Sequence, residues 1–382
     1  MKLTVSNFRS YEGMRLETDG MSVVLTGKNG AGKTNLLEAV SFLSPGRGLR
    51  NASLVDPSSR TKTAALAQKP CEWAVAAVLN SDGDSLDVGT GIVFSGSNDG
   101  RRVVQINGVR MRNQSSLAER ISILWFTPDM QRLFTDGATG RRRFLDRMVA
   151  ANNAGHISHL QTYDRALRDR ARILSDARQR AVKPDGDWLD PLEVTLAEKG
   201  IAIAAGRRDF VERLNAACAL GVGPFPAAEL SLSGCVDSWL NQMPAVDAEE
   251  KFIAILNTRR NEDALTSGTT VGPHRTDLRV EYLARGVPAE QCSTGEQKAL
   301  ILSIILANSR LQVLDRGFAP ILLLDEVTAH LDDLRREALF KEIAALGAQA
   351  WMTGTNSTLF SSLSGCAKHF SVSESSLTTV PF

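Results

Sequence analysis

The glycine-rich run GKNGAGKT occupies residues 27 to 34. It fits the pattern GxxxxGK[ST], with an apolar run, SVVLT, before it and LLEAVSFL after it. The pattern predicts a glycine-rich turn from a strand into a helix, whose N–H groups point inward around phosphates. Lys33 would reach the β- and γ-phosphates of ATP, and the Thr34 hydroxyl would bind Mg²⁺. The alternative is a glycine-rich turn with a surface lysine. The candidate nucleotide-binding residues are Gly27, Lys28, Asn29, Gly30, Ala31, Gly32, Lys33, Thr34 and Asn35.

A second acidic motif follows a short apolar run, ILLLDE, residues 321 to 326. An apolar run of this length is typical of a buried parallel strand. At its carboxyl end Asp325 would hold Mg²⁺, directly or through water. Glu326 is the candidate general base for the attacking water and, with Lys33, a candidate catalytic residue. The alternative is that both acids end the strand and face solvent.

A third stretch, CSTGEQKAL, residues 292 to 300, places a small polar run before an apolar helix. Such a helix start either caps itself or holds an anion. Glu296 lies three residues after Ser293, which is the spacing of a capping box. Capping needs neither Thr294 nor Gly295, so anion binding by this run stays open beside self-capping.

Length and composition restrict the class of protein. The 382 residues are too many for one small core and predict two domains or one domain with a large insertion. A net charge of +1 excludes a uniformly basic nucleic-acid binder but not a local basic face. The five cysteines form no CxxC pair, which indicates reduced thiols in a cytoplasmic protein. The N-terminus lacks a signal-peptide pattern, and the longest apolar runs, near ten residues, are too short to span a bilayer.

Hydrophobic periodicity predicts an α/β fold interrupted by helices. Strand patterns occur near both ends of the chain, whereas residues 137 to 265 have helical texture, broken at 183 to 186 and 221 to 226. Helices are expected at about 33 to 43 and at 296 to 314. Strands are expected at 2 to 7, 22 to 26, 72 to 80, 87 to 94, 101 to 107, 121 to 126, 277 to 283, 321 to 327 and 348 to 355, with an Asn-Gly hairpin turn at 107 to 108 and turns at SDGDS and SGSNDG.

The run STGEQK, residues 293 to 298, resembles the signature motif of the ABC ATPases in the form used by the SMC, Rad50 and RecF group. In that group the signature of one head meets the γ-phosphate held by another head. The resemblance therefore implies a homodimer on ATP, with Ser293, Thr294, Gly295 and Glu296 facing the nucleotide of a second copy. AHLD, residues 329 to 332, matches the D-loop position and adds Asp332 to the cofactor-binding residues.

Four further blocks are similar to the RecF family. They are NFRSY at 7 to 11, FTPDM at 126 to 130, RRRFLD at 141 to 146 and GPHRTDL at 272 to 278, in the family order. The resemblance implies an ABC-type, SMC/Rad50-like P-loop ATPase head with an inserted α-helical lid. The head would comprise residues 1 to 130 and 269 to 382, with the signature, Walker B and D-loop in the second part, and the lid residues 131 to 268.

The family resemblance also implies a function. It is ATP-dependent DNA clamping in recombinational repair of gaps, DNA replication and the SOS response. Cofactors would be ATP and Mg²⁺, hydrolysis slow, and partners RecR, RecO and RecA. Three departures are visible: His330 where the family has glutamate, no proline in GAT at 137 to 139, and no switch histidine in WMTGTN at 351 to 356. Thr353 or Thr355 would occupy the switch position, and Gln131 is the candidate Q-loop residue.

Residues 141 to 180 form a basic block with ten arginines, four aspartates and no lysine or glutamate. Arg165, Arg168 and Arg172 recur at helical spacing and share a face. The block predicts contact with DNA phosphates, single- or double-stranded or at junctions, with steep salt dependence. The alternative is a solvated face with Asp–Arg pairs. The candidate DNA-binding residues are Arg141, Arg142, Arg143, Arg147 and Arg275.

The histidines have predicted environments, and two other functions remain as alternatives. His156 and His159 are expected to be solvated, and His274 to contact DNA or the lid. One rival is an SMC-like chromosome-structure ATPase, but the insertion of about 130 residues lacks sustained heptads. The other rival is a transporter ATPase subunit, which would have no affinity for DNA.

Overall fold

The computed structural model describes residues 1–58, 71–81, 84–94, 100–266 and 268–382. The chain forms two compact units. The first comprises Met1–Gln131, Val222–Phe225 and Ile301–Phe382, and the second comprises Arg132–Gly221 and Pro226–Leu300.

The first unit contains two sheets. One is antiparallel and has the order β2-β1-β4-β5-β6-β7. The other has the order β15-β14-β3-β13-β12-β8; its strands from β14 to β8 are parallel, and β15 is an antiparallel edge. The strands of the first unit are β1 Lys2–Phe8, β2 Tyr11–Glu17, β3 Ser22–Thr26, β4 Ala74–Ser81, β5 Asp84–Phe94, β6 Gly100–Ile106, β7 Val109–Arg110, β8 Ile123–Phe126, β12 Ile321–Leu324, β13 Ala350–Gly354, β14 Ala367–Ser373 and β15 Ser376–Thr379. The strands of the second unit are β9 Ala228–Ser233, β10 Asp277–Tyr282 and β11 Val287–Pro288.

The helices share the two units. The first unit has α1 Lys33–Ser41, α2 Ser115–Arg120 and α10 Asp333–Ala345. The second unit has α3 Ala138–Asn152, α4 Gly155–Gln179, α5 Gly186–Ala219, α6 Cys235–Leu240, α7 Ala245–Thr258 and α8 Arg260–Thr266. The boundary between the units, after Leu300, falls within α9, Thr294–Arg316.

One core holds the first unit together. Apolar residues of α1, such as Leu36 and Leu37, pack with β1 of the antiparallel sheet and with β3 and β13 of the parallel sheet. Phe8, Phe42 and Trp73 meet edge to face at its centre. The phosphate-loop helix is therefore clamped between the two sheets, which fixes the direction of its N-terminus.

The second unit is a helical bundle with a small sheet of order β11-β10-β9. The antiparallel pairing of β9 with β10 ties residues after 269 to the helices, and the unit continues to Leu300. The return to the head predicted at residue 269 thus lies about thirty residues before this division, and Ser293 falls in the second unit. Helices α4 and α5 pack together and contain 25 and 34 residues, far shorter than a long coiled-coil arm.

Most sequence-based elements are confirmed within a few residues. The Asn107–Gly108 turn joins β6 to β7, with both residues at positive φ. Strands β2, β9, β11 and β14 were not predicted, and β9 lies inside the region expected to lack strands. The predicted turns at SDGDS and SGSNDG fall partly outside the described residues. Among the helices that the structure describes, none has the length and apolar character needed to cross a membrane.

Candidate nucleotide-binding site

The phosphate loop connects β3 to α1 in the way that its sequence predicts. Gly27, Gly30 and Gly32 have φ values of 149°, 80° and 110°, a region that favours glycine. A Cβ at Gly27 would overlap the carbonyl oxygen of Val372 on β14, so the loop passes very close to that strand. The exposed residues Lys28 and Asn29 form the tip of the loop.

The Lys33 side chain closes the loop on itself. Its Nζ donates to the carbonyl oxygens of Gly27 at 2.7 Å and Lys28 at 3.0 Å. Burial lowers the pKa of Lys33, while the nearby carboxylates of Glu326 and Asp325 act to raise the pKa. An ammonium group held by carbonyl oxygens at this position is placed to bind phosphate oxygens instead.

The two halves of the predicted site meet at the first turn of α1. The Thr34 hydroxyl lies 3.1 and 3.0 Å from the two carboxylate oxygens of Asp325, which is buried at the end of β12. Thr353 Oγ1 on β13 donates to Asp325 Oδ1 at 2.6 Å and accepts from the Glu326 backbone N–H at 2.8 Å. Thr353 therefore contacts both acids. The sequence predicted only that Thr353 or Thr355 occupies the switch position.

These donors suit Mg²⁺. A hydroxyl and one carboxylate are hard oxygen ligands, and Mg²⁺ usually keeps several waters and takes its other ligands from nucleotide phosphates. No group of three or more His, Cys, Asp or Glu side chains that could hold a metal occurs among the residues that the structure describes. A site that relies on Thr34 and Asp325 thus fits Mg²⁺ with a nucleotide better than a metal held by protein alone.

The residues after Glu326 form a tight turn. Glu326 and His330 both have positive φ, 47° and 60°. Asp332 caps α10 by accepting the Arg335 backbone N–H at 2.8 Å. The predicted Q-loop residue, Gln131, lies in the single 3-10 turn Pro128–Arg132 that follows β8. Asn35, the last residue of the predicted loop set, donates to Ser10 Oγ at 2.9 Å.

The signature stretch closes a capping box. Ser293 N and Oγ each lie 2.9 Å from Glu296 Oε2, and Glu296 N donates to Ser293 Oγ at 3.3 Å. These Ser293 donors, together with Arg285, lower the pKa of the Glu296 carboxyl. The self-capping alternative is therefore present in the structure. Ser293 and Thr294 are nevertheless exposed, and a Cβ at Gly295 would meet open space, so the surface of this helix start is accessible.

Some of the candidate DNA-binding arginines are engaged in contacts within the protein, and others are exposed. Arg141 makes a bidentate pair with Asp277 at 2.7 and 3.0 Å and also donates to three carbonyl groups. Arg142 donates to the carbonyl of Thr276 at 3.0 Å, and burial lowers the pKa of Arg147 to about 9. Arg143 is exposed, and the exposed Arg275 donates to a backbone carbonyl at 3.1 Å.

The remainder of the basic block is mixed. Arg165, Arg168 and Arg172 are exposed on α4, as their spacing predicts. Arg170, on the same helix, is fully buried and contacts Glu193 at 2.9 Å and Asp263 at 2.7 Å. Buried arginine is found where carboxylates pair with it, and no spacing in the sequence indicates those distant partners.

The expectation that His156 is solvated is wrong. His156 is buried and lies 2.9 Å from Asp146, which also makes a bidentate pair with Arg207. Three residues from three helices thus form one polar cluster. His274, expected to contact DNA or the lid, is mostly buried between the Tyr163 hydroxyl at 2.7 Å and the Thr269 carbonyl at 2.9 Å.

The fold and the site together define a P-loop ATPase head of the ABC class, in which a glycine loop, a Walker-type aspartate and a signature helix occur in one chain. The RecF/RecN/SMC N-terminal domain family matches residues 1–377. The DNA replication and repair protein RecF of Mesorhizobium japonicum is 43% identical over 373 residues, which cover 97% of this chain and 95% of that protein. RecF of Brucella suis is 44% identical over 388 residues, covering 99% and 96%. The chain belongs to the RecF family.

Solved structures show the same fold. A structure of the recombination mediator protein RecF with ATP, in the RecFOR pathway, matches with a TM-score of 0.84 at 22% identity and covers 99% of this chain and 96% of that one. An Smc head domain from Pyrococcus furiosus matches with a TM-score of 0.51 at 17% identity, covering 100% and 95%. The interruption of an ABC-type head by helices is therefore shared with RecF and, more distantly, with Smc heads.

Proposed function

We propose that this protein is an ATP-dependent DNA clamp of the RecF type, acting in recombinational repair of gaps, DNA replication and the SOS response. The observation that carries the proposal is the contact of Thr34 with Asp325, 291 residues apart, directly beside the glycine loop. That contact joins the nucleotide-binding loop to the acid expected to hold Mg²⁺. The relatives named above are DNA replication and repair proteins, which supports the same function for this chain.

The chain's own residues have distinct roles in ATP binding and turnover. Lys33 and the loop N–H groups bind the phosphates, and Thr34 and Asp325 would hold Mg²⁺, which when bound neutralises charge on the phosphate oxygens. Glu326 orients the attacking water and accepts its proton. Turnover is slow and serves as a conformational switch. The switch position on β13 carries Thr353, which has no ionisable group with which to move a proton.

Dimerisation on ATP completes the site. The exposed Ser293 and Thr294 and the partly exposed Gly295 stand at the start of a helix of 23 residues, where N–H groups and the helix dipole favour an anion. Binding a γ-phosphate of a second copy requires Glu296 to release Ser293. The D-loop residue Asp332 would lie at the same junction.

DNA is the proposed substrate of the clamp. Arg143, Arg275 and the exposed face of α4 provide cations for phosphate contacts, which would be weakly dependent on base sequence and strongly dependent on salt. Arg141, Arg142 and Arg147 would support this surface from beneath. The proposed partners are RecR, RecO and RecA, and the proposed location is the cytoplasm.

The test combines nucleotide and DNA binding. Lys33→Ala should abolish binding of a fluorescent ATP analogue and, with it, ATP-stimulated DNA binding in a salt-dependent gel shift. Asn80→Ala, at an exposed position outside the site, is the matched control and should leave both intact. Loss of nucleotide binding with unchanged ATP-stimulated DNA binding would refute an ATP-driven clamp. A protein with no affinity for DNA under any nucleotide would favour a transporter-type subunit, and rods in electron micrographs would favour an SMC-like role.

A further inference from the structure

The hairpin formed by β14 and β15 ends in an unusual turn beside the phosphate loop. Its two turn residues, Glu374 and Ser375, have φ values of 47° and 60°. Two successive residues at positive φ are typical of a two-residue hairpin turn, but the positions usually carry asparagine or glycine. This turn keeps two residues that adopt that conformation less readily.

The hairpin touches the phosphate loop at three points. The Ser375 backbone N–H donates to the Ala31 carbonyl oxygen at 3.0 Å. A Cβ at Gly32 would lie 3.1 Å from Ser375 Oγ, and a Cβ at Gly27 would overlap the carbonyl oxygen of Val372. Strand β14 also pairs with β3, which leads into the loop. The hairpin therefore forms the wall against which the loop rests.

The bond to Ala31 fixes a peptide that α1 leaves free. Helix α1 begins at Lys33, and the Gly32 carbonyl already accepts the Leu36 N–H at 3.2 Å within the helix. The peptide between Ala31 and Gly32 precedes the helix. Because that peptide is planar and trans, its C=O and N–H point in opposite directions. Holding the Ala31 oxygen toward Ser375 therefore directs the Gly32 N–H away from the hairpin.

Glycine at position 32 makes this restraint necessary. A glycine rotates readily between backbone conformations, so the Ala31–Gly32 peptide can flip at little cost. A flipped peptide would present the Ala31 carbonyl oxygen to the nucleotide phosphates instead of the Gly32 N–H. An oxygen in that position repels an anion that the N–H would bind.

We propose that the Ser375 backbone N–H is a positioning group that holds the Gly32 N–H in its phosphate-binding direction. The inference rests on the proposed ATP-binding function and adds the C-terminal hairpin to it. Ser375 acts through Gly32 and does not touch the nucleotide. Loss of the bond should weaken ATP binding, whereas turnover at saturating ATP should be kept, because bound phosphate itself restores the loop.

The test removes one N–H and leaves every side chain in place. The Gly365–Cys366 junction allows a synthetic peptide of residues 366 to 382 to be ligated to a recombinant thioester of residues 1 to 365 without changing the sequence. Ligation is performed on unfolded chains, which are then refolded. An ester in place of the Glu374–Ser375 peptide deletes the Ser375 donor. An ester before Val380, whose N–H donates to the His369 carbonyl at 3.0 Å, deletes a similar bond of the hairpin away from the loop and is the matched control.

The expected result separates positioning from stability. The ester at Ser375 should raise the Kd for a fluorescent ATP analogue about five- to tenfold relative to the all-amide protein. The ester at Val380 should lower the melting temperature similarly but change the Kd by less than about twofold. The maximal rate of turnover should be unchanged in both. Insertion of two glycines between Glu374 and Ser375 in the recombinant protein displaces the same donor and should reproduce the rise in Kd.

Equal Kd values for the two ester proteins would overturn the positioning role, as would a normal Kd in the glycine-insertion variant. A fall in the maximal rate with an unchanged Kd would also contradict it. If the all-amide protein itself fails to bind ATP, the proposed nucleotide site is wrong, and the inference falls with it.

Discussion

Replacing Thr353 by valine tests how the two acids of the site are held in place. Thr353 is fully buried on β13, and its hydroxyl both donates to Asp325 at 2.6 Å and accepts from the Glu326 N–H at 2.8 Å. Valine has nearly the same shape but no hydroxyl. The substitution therefore removes a hydrogen bond to a charged group and the hydrogen bond that the Glu326 N–H donates.

The expected magnitude follows from these two bonds. A hydrogen bond to a charged group contributes about 1.5–3 kcal/mol, and a hydrogen bond between neutral groups about 0.5–1.5 kcal/mol. Because both effects share one hydroxyl, we expect the free energy of unfolding to fall by about 3 kcal/mol in total. Turnover should fall at least about tenfold, since a small displacement of Glu326 disturbs the alignment of the attacking water.

Urea unfolding followed by tryptophan fluorescence measures the first effect, and single-turnover ATP hydrolysis measures the second. Thr353→Ser keeps the hydroxyl and is the matched control. It should hydrolyse ATP close to the native rate and lose only the contribution of one methyl group, about 1 kcal/mol. A Thr353→Val protein with native stability and native turnover would refute the assignment of Thr353 as the residue that positions both acids.

Three further predictions concern the second unit. Burial lowers the pKa of His274 to about 4, so the unfolded chain takes up a proton before the folded protein does as the pH falls. The contribution of His274 to the free energy of unfolding should be complete above pH 6.5 and should be lost toward pH 4, by up to about 3 kcal/mol. Urea titrations at several pH values measure this loss, and a His274→Gln variant should show a smaller dependence of stability on pH. In gel shifts, Arg143→Ala should reduce the slope of log DNA affinity against log salt concentration by about one. Arg141→Ala should instead lower the free energy of unfolding by about 2 kcal/mol, because Asp277 loses its partner. Arg170→Met should lower the free energy of unfolding by about 3 kcal/mol, because the buried Asp263 loses its cation while Glu193 keeps Arg260.

The parts of the fold that the sequence predicted are those with a strong local signal. The alternation in β1 has the period of a strand, and the buried runs at β8, β12 and β13 are too short for typical helices. Strand β2 contains Gly13 and several charged residues, and β9 lies among helical patterns. Each is a strand because a neighbour, β1 or β10, pairs with it. Such pairing depends on tertiary contacts that a local pattern does not contain.

The candidate site divides in the same way. The loop from Gly27 to Thr34 and the acids Asp325 and Glu326 are contiguous motifs, and the sequence indicated them directly. Ser375 carries no motif, since its contribution is a backbone N–H that any residue except proline would offer. Arg141 was predicted to contact DNA because of its charge, but the structure pairs it with Asp277, a carboxylate 136 residues away.

The prediction that His156 is solvated was wrong for a related reason. His156 lies on a helix rich in polar residues, which favours a solvated side chain, yet Asp146 and Arg207 contact it in the second unit. A buried polar residue is stable only when its partners are supplied, and those partners come from two other helices. Sequence spacing predicts which face a residue occupies but not what another helix places against it.

The central claim is that each nucleotide site is completed by the signature helix of a second copy. The direct measurement is the molar mass of the protein in solution, by light scattering after size exclusion, with and without ATP and Mg²⁺. We expect the native protein to double in mass from 41.4 kDa on adding ATP, and Ser293→Arg to bind ATP but stay monomeric. A Ser293→Arg protein that still doubles in mass with ATP, or a native monomer that hydrolyses ATP at its full rate, would contradict it.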